Sequence, residues 1–135
     1  MPDVRFYVIQ QPKQRVESLA CRLCRRVAIG AQQRLFVRFS HADDMRQFDA
    51  LLWTFEADSF VPHGIDDLDA PICLGLIPPP DFQGCCLNLA DDAVDSSQFE
   101  QVLEIIGTDP EARQRGRQRF RDYRQQGLEP QTHQV

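Results

Sequence analysis

Between Ala112 and Gly127 the chain carries six arginines, of which Arg113, Arg117, Arg121 and Arg124 recur at helical spacing with Arg115 and Arg119 flanking them. A guanidinium stays charged at any working pH and presents a rigid fork of donors that matches carboxylates and phosphates. Like charges at this spacing repel one another, and here they do so in a chain whose formal net charge is -5. Ala112, Gly116, Phe120 and Tyr123 share the adjoining side of the same predicted helix. Two readings follow: a solvated basic helix held down by Phe120 and Tyr123, or a docking face whose charge repulsion is relieved by a partner with several carboxylates.

Three further groups could do chemistry. Trp53, the single tryptophan, lies close to Phe55, Phe60, Val61, Pro62 and His63; large aromatics at such density either close a protein's own core or anchor an interface. His63 precedes Asp66, Asp67 and Asp69, which could be drawn as the metal or acid–base site of a small hydrolase, although polar loops of this kind are ordinarily just solvated. Cys21 and Cys24 form a C-x-x-C that would suit a thiol oxidoreductase, but it falls inside a helical pattern with no second pair, where small buried thiols are the plainer reading. Cys85 and Cys86 are adjacent in a predicted strand and so face opposite ways. Five cysteines is an odd count, which speaks for reduced thiols.

These residues need a scaffold, and 135 residues with 42% hydrophobic content suffice for one domain with a real core, residues 1–135, whose polar last stretch, 128–135, reads as a loosely attached tail. The start shows no charged segment leading into an apolar run, and no stretch approaches the roughly 18 apolar residues of a membrane span. The expectation is a cytoplasmic protein without a membrane partner. A pI near 5.1 argues against general nucleic-acid binding, because phosphate neutralisation needs the opposite sign.

Val4 to Ile9 reads as a first strand, and the periodicity of Val16, Leu19, Ala20, Leu23, Cys24 and Val27 predicts a helix from Lys13 to Ile29 closed by Gly30. Arg34 to Phe39 is a second strand, and Ser40-His41-Ala42-Asp43 has the form of a capping box opening a second helix with Met45, Phe48, Leu51, Leu52 and Phe55 inward. Pro71 to Ile77 and Gly84 to Leu89 read as buried strands around the stiff Pro78-Pro79-Pro80 turn. A helical turn near Ser96 to Phe99 leads into a last strand at Val102 to Ile106, and Asp109-Pro110 caps the basic helix. Alternating strands and helices predict an α/β fold, a three-layer domain with a mainly parallel sheet, mononucleotide-binding-like in outline. The first strand runs into Gln10-Gln11-Pro12-Lys13-Gln14-Arg15, with no glycine-rich phosphate loop. No nucleotide cofactor is therefore expected.

The segments Leu51-Leu52-Trp53 and Ser59-Phe60-Val61-Pro62-His63, the opening Arg5-Phe6-Tyr7, and Arg117 to Arg124 together resemble the chi-subunit family of bacterial DNA polymerase III holoenzyme over nearly the whole chain. The resemblance implies a non-catalytic replication adaptor, part of a DNA-directed DNA polymerase assembly, that ties the clamp loader to protein-coated single strands. It implies a psi-subunit contact at Trp53, Phe60, Val61, Pro62 and His63. It also implies that Arg113, Arg117, Phe120, Arg121, Tyr123 and Arg124 bind the acidic C-terminal tail of single-stranded-DNA-binding protein, with Phe120 standing where a tyrosine is usual. The competing class is an enzyme built on His63 with Asp66, Asp67 or Asp69, or on Cys21 and Cys24.

Overall fold

The computed structural model describes residues 2–55 and 62–135. Strands β1 (Asp3–Val8), β2 (Leu35–Arg38), β3 (His63–Ile65), β4 (Ile72–Gly75), β5 (Cys85–Asn88), β6 (Gln101–Ile106) and β7 (Gln131–Gln134) form one sheet in the order β3-β4-β2-β5-β6-β1-β7. Every pairing is parallel. A parallel sheet needs crossovers that cover both faces, and three α-helices supply them among the described residues: α1 (Val16–Arg25), α2 (Ala42–Thr54) and α3 (Pro110–Gln125).

Period-two alternation sorts the strand side chains into two cores. Leu35, Val37, Leu87, Leu103 and Ile105 pack under α1 and α2 with Leu23, Phe48 and their neighbours. Val4, Phe6, Phe36, Val102 and Ile106 pack on the other face with Tyr123 of α3 and Phe82 and Phe99 of the loops. Cys85 and Cys86 fall in opposite cores, as their adjacency required. The architecture is the α/β layering that the strand and helix alternation predicts.

Local details differ where long-range contacts outrank local ones. The first helix is α-helical only to Arg25 and continues as a π-helical turn, Arg26–Gly30; the left-handed residue that ends it is Gln32, with φ 53°, not Gly30. Ser40 does not cap α2, whose N-cap is His41. Its hydroxyl instead accepts from the Asp91 amide at 2.9 Å, across to the β5 exit. The edge strand β3 has too few residues to carry a period. Residues 128–135 are not a loose tail: Leu128 is buried and β7 completes the sheet beside β1, with Val135 N donating to Val8 O at 3.0 Å. Its exposed polar side chains read as a tail, whereas the ordering comes from backbone pairing, which leaves no mark in side-chain polarity. The short helical turn Ser96–Gln98 and strand β6 stand where they are expected.

One side chain breaks the apolar run of β6. Glu104 is fully buried, opposite Phe6 of β1 and Asn88 of β5. Arg119 Nε donates to its Oε1 at 2.9 Å, while Tyr123 Oη and Asn88 Nδ2 donate to its Oε2 at 2.6 and 2.7 Å. Burial pushes the Glu104 carboxyl above the usual carboxylate range, against Arg119, Tyr123 and Asn88, which pull it down. Burial first, and then the Glu104 charge, hold the Tyr123 phenol protonated far beyond its ordinary range, so it stays a donor. The network continues outward as Arg38 Nη1 donates to Asn88 Oδ1 at 3.1 Å and Arg38 Nη2 meets Asp92 Oδ1 at 2.9 Å. Arg119, expected on the solvated edge of its helix, is thus an interior residue: the packing of α3 brings its guanidinium to the one acid of β6.

Breaking such a pair on one side strands a buried charge, at a cost of about 3–5 kcal/mol, while replacing both members by apolar groups is often neutral. Glu104→Leu should therefore lower the urea midpoint severely, and Glu104→Leu with Arg119→Met should recover most of the loss; a double variant no more stable than the single would show that the pair is not the source of the cost.

Candidate functional site

The basic face is built by α3. Asp109 Oδ1 accepts from Ala112 N at 2.9 Å and Pro110 opens the first turn, so the helix starts where the sequence places it. Its inner side sits very close to the sheet. A β-carbon placed on Gly116 would collide with Cδ1 and Cγ1 of Ile106, so this glycine is needed for helix–sheet approach, and its bare backbone also lines the groove beside the helix. The close approach leaves a groove of about 360 Å³ on the flank facing β1 and β7, with Val8, Ile106 and Phe120 as apolar walls. Arg113, Arg117 and Arg121 line its rim together with Thr132.

The predicted site residues separate accordingly. Arg113 is half-buried and donates from Nη2 to Ile9 O at 2.7 Å, which fixes the first turn of α3 to the end of β1. Arg117 and Arg121 are exposed, and neither has an ion-pair partner among the described residues. Phe120 is half-buried, its ring 5.3 Å from that of Phe6. Tyr123 is fully buried against Glu104 and has no surface to offer a partner. Arg124 is exposed but does not line the groove. Thr132 was not foreseen, because a residue read as part of a loose tail gives no signal of an adjoining strand.

A second candidate surface lies beyond the other edge of the sheet. Trp53 near the end of α2 is 56% exposed, with its ring 4.9 Å from that of His63. The His63 side chain is shielded, with Nε2 3.2 Å from Asp49 Oδ1. Pro62 is exposed, while Phe60 and Val61 lie outside the described residues. Asp66, Asp67 and Asp69 do not converge on His63. They belong to the turn joining β3 to β4, where Asp66 N donates to Leu74 O at 2.8 Å and Asp69 N to Asp67 Oδ1 at 3.0 Å. The described residues contain no group of three or more potential metal-ligating side chains.

Cys21 and Cys24 are buried on the inner face of α1. Burial pushes the Cys21 thiol up to about 12 and raises that of Cys24 well above its ordinary value. Redox cysteines need the opposite environment, exposed and with the thiolate favoured. No described helix is long and apolar enough to cross a membrane.

A family model described as "DNA polymerase III chi subunit, HolC" matches residues 1–131. The chain belongs to this chi-subunit family. It is also 34% identical over 143 aligned residues to the DNA polymerase III subunit chi of Pseudomonas aeruginosa, an alignment that covers 100% of this chain and 98% of that protein. Chi is an accessory subunit of DNA polymerase III and not itself catalytic, so the hydrolase and oxidoreductase readings fall with the geometry of His63 and the cysteines. The likeness over nearly the full length of both chains fits the single α/β body described above.

Gly116→Ala tests the tight seat of α3. Alanine favours helix by about 1 kcal/mol over glycine, whereas overpacking typically costs about 1–3 kcal/mol. Because both Cδ1 and Cγ1 of Ile106 are in the way, rotation of one methyl does not clear the space. The expected net result is a melting temperature lower than wild type, read by circular dichroism; an increase would mean that the helix sits loosely.

Proposed function

We propose that this chi-family chain links the clamp loader, through the psi subunit, to the C-terminal tail of single-stranded-DNA-binding protein. The observation that carries the reading is the groove beside α3, where apolar walls from Val8, Ile106 and Phe120 adjoin Arg117 and Arg121, both without an acidic partner among the described residues. A tail that ends in acidic residues followed by Pro-Phe and a free carboxylate, as the family resemblance implies, needs that combination. Its terminal ring fits the apolar walls, and Arg117 is placed to take the carboxylate. Arg121 and, farther along, Arg124 attract the upstream acids. Arg113 keeps one donor group on Ile9, so its part is to hold the rim as much as to bind. Tyr123 serves through Glu104, by seating the helix.

The psi contact is proposed at Trp53, Phe60, Val61, Pro62 and His63. What supports it is a tryptophan more than half exposed beside a sheltered histidine that fixes the ring's surroundings. A polymerase subunit that performs no chemistry acts by holding partners, and two surfaces on opposite edges of one rigid sheet allow both partners to be held at once.

A charge-assisted hydrogen bond contributes about 1.5–3 kcal/mol. Arg117→Ala should thus weaken a fluorescent tail peptide by roughly tenfold to a hundredfold, with Arg121→Ala losing less and mostly at low salt. Equal affinities for wild type and Arg117→Ala would remove the tail from this groove.

At the other edge, truncating an aromatic anchor costs about 2 kcal/mol or more, about thirtyfold in affinity. Trp53→Ala should show this against purified psi subunit while leaving tail-peptide affinity and melting temperature near wild type.

A further inference from the structure

A second and larger cavity, about 500 Å³, opens on the opposite flank of α3. It lies outside the carboxyl ends of β2, β5 and β6, between the first turn of α1 and the Asp44–Leu51 stretch of α2 on one side and the Ala112–Arg119 stretch of α3 on the other. This is the crevice in which open α/β sheets bind ligands, where the connections leaving neighbouring strands part to opposite faces, and its volume is that of a small-molecule site. The floor is apolar: Phe39, Phe48, Leu51, Leu89 and Ile105.

The polar groups around that floor specify a ligand. Arg119 lines the cavity and is 8% exposed. Its Nε is committed to Glu104, but among the described residues Nη1 and Nη2 reach only the carbonyls of Asp91 and Ile105, each at 3.4 Å, well beyond the roughly 2.9–3.0 Å of a good N–H···O bond. A buried guanidinium with weakly used donors favours an acceptor placed against it. The rim carries the carboxylates of Glu17, Asp44 and Asp91. Arg15 approaches Glu17 at 3.9 Å and Arg115 approaches Asp91 at 3.7 Å, while Asp44 is in no ion pair among the described residues. Arg15 and Arg115 also line the cavity and offset Glu17 and Asp91, which leaves Asp44 as the carboxylate best placed to accept from an N–H group; with its cations engaged by acids the lining has no phosphate cradle, in keeping with the missing glycine-rich loop after β1.

We propose that this cavity binds an uncharged heteroaromatic lactam, a nucleobase or its nucleoside, and excludes the corresponding nucleotide. The flat ring lies on the Phe39, Phe48 and Leu89 floor, a ring carbonyl accepts from the Arg119 guanidinium, and a lactam N–H donates to a rim carboxylate. The same base could come from a free nucleoside or from a nucleic-acid strand; the arginines of the lining are paired with Glu17, Asp91 and Glu104, so the phosphates of a strand gain no cation there.

Thymidine, guanosine, adenosine, thymidine monophosphate and an oligothymidylate are titrated against the full chain by thermal shift and by calorimetry. A ligand that binds only the native state raises the melting temperature saturably. Thymidine and guanosine should do so, with adenosine, which lacks the ring carbonyl, and the monophosphate each at least about tenfold weaker and the oligothymidylate weaker still. Gln47 is an exposed residue of α2 at the cavity mouth. Gln47→Trp should fill the cavity and abolish binding while the unliganded protein melts as wild type, and Asp44→Asn should weaken thymidine by about threefold to tenfold. The proposal is overturned by no saturable shift with either lactam nucleoside, by undiminished binding to Gln47→Trp, or by a monophosphate or oligothymidylate that binds more tightly than thymidine.

Discussion

The carboxylate of Glu104 governs how this domain is put together. It sits at 0% exposure in the middle of a parallel strand, where an isolated charge would be prohibitive. It is tolerable only because three donors from two elements converge on it: Arg119 and Tyr123 from α3 and Asn88 from β5. The burial of apolar area is non-directional and by itself discriminates weakly between neighbouring placements of a helix on a sheet. A carboxylate that must receive three hydrogen bonds discriminates strongly. The network therefore selects one register for α3 among the several that burial of Phe120 and Tyr123 alone would permit, and Gly116 against Ile106 sets how closely that register approaches the sheet.

Both cavities depend on that placement. The groove bounded by Val8, Ile106 and Phe120 lies along one flank of α3 and the crevice at the strand ends along the other. Arginines distributed around the helix acquire different duties from position alone. Arg119 points inward to Glu104, Arg113 fastens the first turn to β1, and Arg115 pairs with Glu111 at 2.6 Å on the surface. Arg117 and Arg121 are exposed and in no ion pair among the described residues. The repulsion that makes six arginines on one helix costly is thus relieved in part by the protein's own acids, and only the remainder is offered outward.

Residue type and spacing are informative where local chemistry dominates. Strand and helix order followed from period-two and helical hydrophobic spacing, the start of α3 from Asp109 and Pro110, and the opposite orientation of Cys85 and Cys86 from strand geometry. They mislead where a polar side chain has a distant alternative. Ser40 looked like a cap and instead bonds Asp91 across the chain; Arg119 looked solvated and is buried; Tyr123 looked available to a ligand and is consumed by Glu104. The strand β7 was missed because an edge strand of exposed polar residues has no apolar signature, only backbone partners.

By itself the sequence determined the class of the fold, the family to which the chain belongs, and the presence of a basic aromatic helix and a tryptophan segment, because each is written in residue type and spacing within a few turns of chain. Only the tertiary structure decided which arginines face outward, that Gly116 is a packing residue, that Thr132 joins the groove, and that the strand ends enclose a separate crevice. Those outcomes depend on which residues distant in sequence meet across the sheet. Glu104 and Arg119 look like ordinary surface residues until strand register and helix placement bring them together where water cannot follow.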